Sequence, residues 1–491
     1  MYVQLILNVL IGLVSVRILL NALGQSDYGL YDLIAGIIGL FSFITASLSQ
    51  SSMRYISVSL GAGDNEKTKS VVSSCVWLHI FISLALCFIL EVAGVFLFDG
   101  FLNISQERIG IAKIIYHCMV LSLFFNINIA PLNALVSSFE NFLFISLVTI
   151  FDSLLKLGIA FWVMYTSFDK LLLYGVMIAG ITILNYLIYL TISVTKYRSA
   201  YHVSKPDYNG IRSVVGFASW TLLDTFSSVI NRQGYAVMLN KFFGTTMNSS
   251  FAISRQLEGQ VFSVSSVVVN AMKPQIMKSF GKGETDRMFR LSLTAGKFGF
   301  YLMSMVCIPL LVMMPDVLQL WLGFIPDNTV LFGRLLIIAC MMEQLTRGLV
   351  YANQAIGNIK WFSIIVSTLR ILALPVSIFA LLLGAEAWVA IFIFLVFETL
   401  GSLSRIIVLS RISDFKPVTF FKSVLKDVTI PTLCTSLFCC FIYPMGSGIL
   451  WMIACILVTI LLLVIAVFFT GLTIEERSFI RGVLQKIMKR F

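Results

Sequence analysis

Val71-Val-Ser-Ser-Cys75-Val-Trp-Leu-His79-Ile-Phe-Ile-Ser-Leu-Ala-Leu-Cys87-Phe-Ile-Leu-Glu91-Val-Ala-Gly-Val-Phe-Leu-Phe98 is the stretch that decides the class of fold. It holds one carboxylate and one imidazole in a run longer than the roughly 20 apolar residues that cross a bilayer's hydrocarbon core. Backbone polar groups in hydrocarbon must pair with one another, so such a run reads as a helix. The rest of the chain repeats the pattern. Its 491 residues are 58% hydrophobic and 12% charged, with a mean hydropathy of +0.95, far from the composition of a soluble enzyme. The nine cysteines lie in apolar runs without paired spacing, and His79, His117 and His202 are scattered. Neither a disulfide framework nor a Cys- or His-built metal centre is expected.

Working outward from this run gives fourteen predicted spans. They are Val3 to Leu23, Leu30 to Ser52, Val71 to Phe98, Ile111 to Leu135, Phe142 to Tyr165, Leu171 to Val194 and Val214 to Leu239. Then follow Ser249 to Met272, Leu291 to Met314, Val330 to Gln354, Trp361 to Leu383, Ala385 to Leu409, Val428 to Pro444 and Gly448 to Thr470. Loops after even-numbered spans, with the C-terminal tail, hold more than twenty Lys and Arg. Loops after odd-numbered spans, with the first turn of span four, hold only Arg108, Lys113, Lys170 and Lys241. Basic residues stay on the cytoplasmic side, so both termini are expected there. With no basic n-region or cleavage motif, the first span is expected to act as its own insertion signal. The net charge of +11 then reflects membrane topology, and nucleic acid is not an expected partner. The tail, Gly471 to Phe491, reads either as an amphipathic helix on the inner leaflet or as a disordered segment.

The loop Gly61-Ala62-Gly63-Asp64 is echoed 220 residues later by Gly281-Lys282-Gly283-Glu284. Leu20-Asn21 matches Leu239-Asn240, and Arg54 matches Lys273, at almost the same offset. Six spans lie between copies, an even number, so the copies share one orientation. The expected fold is an all-α integral membrane protein of 14 transmembrane helices. Residues 1–200 and 213–410 form two parallel six-helix lobes, 428–470 form two extra helices and 471–491 the tail. The basic stretch Lys196 to Arg212 is the expected linker between lobes.

An ionisable residue at the bilayer centre costs roughly 2.5 to 3.5 kcal/mol on insertion scales, so it needs a partner or a polar cavity. Asp152 and Lys156, Arg255 and Glu258, and Glu343 and Arg347 are spaced to pair on one helix face. Arg17, Asp224, Arg232, Lys297 and Arg370 have no opposite charge within one turn, although Asp224 and Arg232 share a face. Arg17, Arg232 and Arg255 lie toward the outer ends of their spans, Arg54, Lys273 and Lys297 toward the inner ends. Lining one cavity, these cations would suit a phosphate or pyrophosphate, which Arg can grip with two hydrogen bonds. For Arg54, Lys273 and Lys297, snorkelling to the interface is the competing reading. Asp224 and Glu258 are candidates for H+ or Na+ coupling, or simple neutralisers of a neighbouring Arg. No cofactor is called for, and GxxxxGK[ST], HExxH and GxSxG are missing. Asn126, Asn128, Pro131 and Asn133 mark a polar, kinked fourth span. Gly36-Ile37-Ile38-Gly39 reads as a packing stripe.

The segment Arg17-Ile-Leu-Leu-Asn-Ala-Leu-Gly24-Gln-Ser-Asp-Tyr28-Gly29-Leu-Tyr31 resembles the signature of Wzx-type polysaccharide flippases. Leu239 to Gly244, the run through Asn270 to Lys278, and Gln354 to Lys360 add to the likeness. These oligosaccharide-lipid exporters belong to a superfamily that also holds multidrug-and-toxin extruders and the lipid II flippase. The resemblance implies alternating access between two lobes, in the bacterial cytoplasmic (inner) membrane. It implies a polyprenyl-pyrophosphate-linked oligosaccharide as cargo, moved to the outer leaflet for O-antigen or capsule synthesis. It implies membrane lipids, a polysaccharide polymerase and a chain-length regulator as partners. Carried over by span, it makes Arg17, Arg54, Arg232 and Arg255 the residues that bind the anionic head group. The rival readings are a drug or metabolite antiporter with an acidic cavity, a polysaccharide polymerase or glycosyltransferase, and a passive scaffold. The short outer loops, without His, speak against the polymerase.

Overall fold

Four helices begin where the sequence offers a carboxylate or amide to the first free N–H groups. Asp64, Asn141, Asp169 and Asp207 each accept a backbone N–H from the opening turn of the helix that follows. The computed structural model describes residues 2–39, 41–98, 106–204, 207–323, 325–474 and 476–478. Some residues of the first helix, and 245–246, are described by backbone alone. In chain order the helices are α1 (Tyr2–Gly39), α2 (Ser42–Ala62), α3 (Asn65–Phe96), α4 (Ile109–Ser138), α5 (Phe142–Tyr165), α6 (Lys170–Thr195) and α7 (Tyr208–Gly281). Then come α8 (Thr285–Val312), α9 (Met314–Leu322), α10 (Thr329–Ile356), α11 (Lys360–Leu382), α12 (Ala387–Ile412), α13 (Pro417–Met445) and α14 (Ile449–Gly471). The described residues contain no strand.

Eleven helices among the described residues are long and apolar enough to cross a membrane; α1, α2 and the part of α7 after Gly244 are not among them. The expected break between spans one and two stands at Gly24 (φ 78°, ψ 169°), and that between spans seven and eight at Gly244 (φ 79°, ψ −171°): two helices meet at each. Only glycine enters this region cheaply, so a single non-helical residue takes the place of each expected loop. One boundary is corrected. The expected second span is itself interrupted: α1 ends at Gly39 and α2 starts at Ser42. No atom lies within 4 Å of a Cβ placed on Gly36 or Gly39, so this pair makes no close helix contact. Pro131 lies inside an unbroken α4. Of the tail, Thr473 and Glu476 exchange side-chain-to-backbone hydrogen bonds in a capping box. Residues 479–491 lie outside the described residues.

The chain divides into two compact units, residues 1–225 with 277–284, and 226–276 with 285–491. In unit 1, α4 packs against α2, α3 and α6, while α1 lies along α5. Neutral polar groups stitch the helices together. Asn128 Nδ2 donates to Ser83 Oγ at 2.9 Å, Asn133 Nδ2 to the Tyr189 hydroxyl at 3.0 Å, and Ser57 and Ser138 hydroxyls meet at 2.7 Å. Asn128 and Asn133 of the fourth span are thus engaged within unit 1, while Asn126 is exposed. Where α2 ends, a Cβ on Gly61 would lie 2.2 Å from the Lys278 carbonyl oxygen. A Cβ on Gly281 would lie 2.1 Å from that of Val58. Two glycines 220 residues apart therefore permit the same backbone-to-backbone approach in mirror fashion. The turns beyond them match too: Gly63 and Gly283 have φ 72° and 77°. Their N–H groups donate to the Leu60 and Phe280 carbonyls.

In unit 2, α10 packs between α8 and α12, α11 lies on α12, and α13 and α14 pack on α8. The part of α7 before its kink runs beside α11. Asn231 Nδ2 donates to the Arg370 carbonyl at 2.8 Å, and the Tyr235 hydroxyl meets the Ala373 carbonyl and Ser377 Oγ.

Candidate functional site: a charged network in unit 2

Four helices of unit 2 bring charges into its interior. Arg370 on α11 uses each arm of its guanidinium. Nε donates to Glu398 Oε1 on α12 at 3.0 Å and Nη1 to Ser228 Oγ on α7 at 3.0 Å. Nη2 donates to Glu343 Oε1 on α10 at 3.3 Å. Arg405, 3% exposed at its side chain, reaches the same Glu343 oxygen at 3.3 Å and the Thr346 hydroxyl. One carboxylate is thus shared by two guanidinium groups from neighbouring helices. This corrects the expected Glu343–Arg347 pair: Arg347 lies over the Phe262 ring, 3.7 Å from its centroid. An i,i+4 pair contributes only about 0.2 to 0.5 kcal/mol, little against two tertiary guanidinium contacts.

The two other same-helix pairs form as spaced. Arg255 Nη1 donates to Glu258 Oε2 at 2.9 Å, and Lys156 meets Asp152 at 2.8 Å, with Asn185 on the same carboxylate. Arg255 is also flanked by Phe251 and Phe394, 5.1 and 4.6 Å from its guanidinium carbon. Lys273 lies over Tyr351 at 5.1 Å and neighbours Arg347. Both Lys273 and Arg347 meet aromatic faces and make no carboxylate ion pair among the described residues. Such cations combine a π contact with charge still available to an anion.

The remaining sequence candidates lie elsewhere. The side chain of Arg17 lies outside the described residues. Arg54 is in unit 1, stacked on Tyr55 and on Phe217 of α7. Asp224 is half-buried in unit 1, whereas Arg232 is exposed in unit 2. Lys297 joins none of them. Its ammonium, on a side chain 4% exposed, bonds Asp427 at 3.2 Å and Glu476 at 2.7 Å. Nearby, the Tyr301 hydroxyl donates to the Asp427 and Gly471 carbonyls. Lys297 therefore anchors α13 and the chain after α14 to α8. Glu398 and Arg405 were missed in the sequence. Their seven-residue spacing on one face of an apolar helix was the available signal. No group of three or more His, Cys, Asp or Glu among the described residues is placed to hold a metal ion.

The MatE family model matches residues 1–162. A crystal structure of a MATE protein in complex with MaD3S superposes at TM-score 0.73 and 14% identity, covering 84% of this chain and 94% of that one. An outward-facing multidrug resistance MATE family transporter of the MOP superfamily gives TM-score 0.69 at 13% identity, covering 84% and 94%. The fold is that of the MATE transporters. A third structure in the MATE fold is a MOP superfamily transporter from Pyrococcus furiosus. It is described as having a binding pocket of reverse polarity that suggests a different function. It gives TM-score 0.68 at 13% identity, over 83% of this chain and 93% of that one. No curated protein sequence matches the chain. The matched residues 1–162 hold the Gly24 kink and none of the unit 2 charges, so the MATE likeness assigns those charges no role.

Proposed function

We propose that the protein is a multi-pass membrane transporter of the alternating-access kind, and that its cargo bears a phosphate or pyrophosphate. The observation supporting this cargo is the cation excess among the charges that α7, α10, α11 and α12 contribute to unit 2, apart from the Lys297 cluster on α8. Arg255, Lys273, Arg347, Arg370 and Arg405 face three carboxylates, Glu258, Glu343 and Glu398. Among the described residues, Lys273 and Arg347 are the two that make no direct ion pair with a carboxylate, Arg347 acting on Glu343 only at longer range, and they are the residues we assign to the anion. A polyprenyl-pyrophosphate-linked oligosaccharide fits, since a flippase must offset the desolvation of two phosphates while the tail stays in hydrocarbon. Transport then needs differential binding in two states, with no chemical step on the cargo. Glu258 and Asp224 remain the proposed sites for H+ or Na+ coupling.

A second reading, a multidrug or metabolite antiporter for organic cations, is favoured by the comparisons, which lie with MATE proteins. It predicts that the carboxylates of unit 2, rather than its cations, meet the cargo. Purified protein in proteoliposomes separates the two. Movement of a polyprenyl-pyrophosphate oligosaccharide across the bilayer, lost in Arg347→Gln and Lys273→Gln, is expected under the first. Exchange of a fluorescent organic cation for H+ or Na+, lost in Glu258→Gln and retained in Arg347→Gln, would replace it by the second.

A further inference from the structure

Beyond the Asn231–Arg370 and Tyr235–Ala373 contacts, α7 and α11 continue side by side and leave a groove of about 680 Å³. Gly234 sets its floor: a Cβ there would lie 2.5 Å from Leu374 Cδ2, so the leucine side chain of α11 rests against the bare backbone of α7 at this point. The lining then repeats every four residues, Gly234, Met238 and Phe242 on α7 opposite Leu374, Ile378 and Leu382 on α11. Two such rows make a straight trough. From Ile230 to Phe242 it runs about 18 Å at 1.5 Å per residue. That matches the depth of a single leaflet, half of a hydrocarbon core about 30 Å thick.

Almost every lining group is apolar. The exceptions are Gln233 and Lys241, and Lys241 stands at the end of the groove where α11 stops at Leu382 and α7 bends at Gly244. Its exposed ammonium makes no ion pair among the described residues. A trough one leaflet long, apolar along its length and cationic at its interfacial end, has the shape and charge of a lipid with an anionic head.

We propose that this groove is a binding site for one anionic phospholipid of the surrounding bilayer, with an acyl chain lying between α7 and α11 and its phosphate on Lys241. Lipid tails are as apolar as the groove, so tail burial gives little preference for one lipid over another. Selectivity comes from the head group meeting Lys241. The site is distinct from the charged network and does not depend on which cargo the protein carries.

The test is native mass spectrometry of the full-length protein, released from micelles holding equal amounts of phosphatidylglycerol and phosphatidylcholine. The wild type is expected to retain one phosphatidylglycerol with about fivefold preference, the effect of one basic residue beside an anionic lipid. Lys241→Gln is expected to abolish the preference. Val237→Trp, which fills the trough from an exposed position, is expected to lose both lipids. Lys241→Gln removes only a surface charge, so it decides the matter even where the tryptophan variant folds poorly. Equal retention of the two lipids by the wild type, or an unchanged preference in Lys241→Gln, overturns the assignment. A polyprenyl phosphate that displaces phosphatidylglycerol at equal concentration also overturns it, giving the groove to an isoprenoid chain.

Discussion

In unit 1 the ion pairs sit mainly at the two ends of α4, while in unit 2 they run through the interior. Before the first turn of α4, Arg108 binds Asp27 at 2.8 Å and also Asp169, and just past its end Glu140 pairs with Lys278. Between them unit 1 relies on Asn128, Asn133, Ser57 and Ser138, with Asp152–Lys156 as a half-exposed pair on α5. Unit 2 instead buries Arg370, Arg405, Glu398 and Lys297. Hydroxyl and amide groups find partners inside a membrane at modest net gain, averaging about 0.6 kcal/mol each. Buried charges carry a desolvation cost that pairing only partly offsets. Among the described residues, charged side chains this deeply buried occur in unit 2 alone, and that ties the candidate site to unit 2.

The contrast is open to direct attack. Arg370→Met strands Glu398 and half of the charge on Glu343, for an expected loss of about 3 to 5 kcal/mol, seen as a lowered Tm in detergent. Asn128→Leu in unit 1 is expected to cost about 1 kcal/mol. Equal losses for the two variants would erase the distinction between the units. Lys297→Met leaves Asp427 and Glu476 facing each other without a cation, at about 3 kcal/mol. Its signature is faster hydrogen exchange confined to 417–478, and uniform loosening would mean that the anchor is not local. Gly61→Val drives a side chain into the Lys278 carbonyl, so a loss of about 1 to 3 kcal/mol is expected. A wild-type Tm in that variant would show that the two backbones are not in contact. Arg347→Gln is expected to change stability least, by under about 1 kcal/mol, because it breaks a π contact and no ion pair. Transport of a phosphate-bearing cargo should nevertheless fall at least tenfold, measured in proteoliposomes. Normal transport would remove Arg347 from the site.

The helices themselves were legible in the residues. An apolar run in hydrocarbon has no alternative to internal hydrogen bonding, so composition alone dictates α structure from Val71 to Phe98 and its counterparts. The glycine loops 61–64 and 281–284 were legible for the same local reason, since a left-handed turn after a helix asks for glycine. The same-helix pairs Arg255–Glu258 and Asp152–Lys156 followed from spacing. Other features were not readable along the chain. Gly24 and Gly244 read as parts of loops several residues long, whereas each break is one non-helical glycine with helix resuming at once.

What tertiary structure alone decided is who partners whom. Glu343 had Arg347 one turn away in sequence, yet Arg370 and Arg405 took its carboxylate from two other helices. Lys297 found its carboxylates 130 and 179 residues later. Secondary structure is settled by interactions within a few residues, which the amino-acid order states outright. A buried charge is settled by whichever opposite charge packing brings within about 3 Å, and that depends on how whole helices lie against one another.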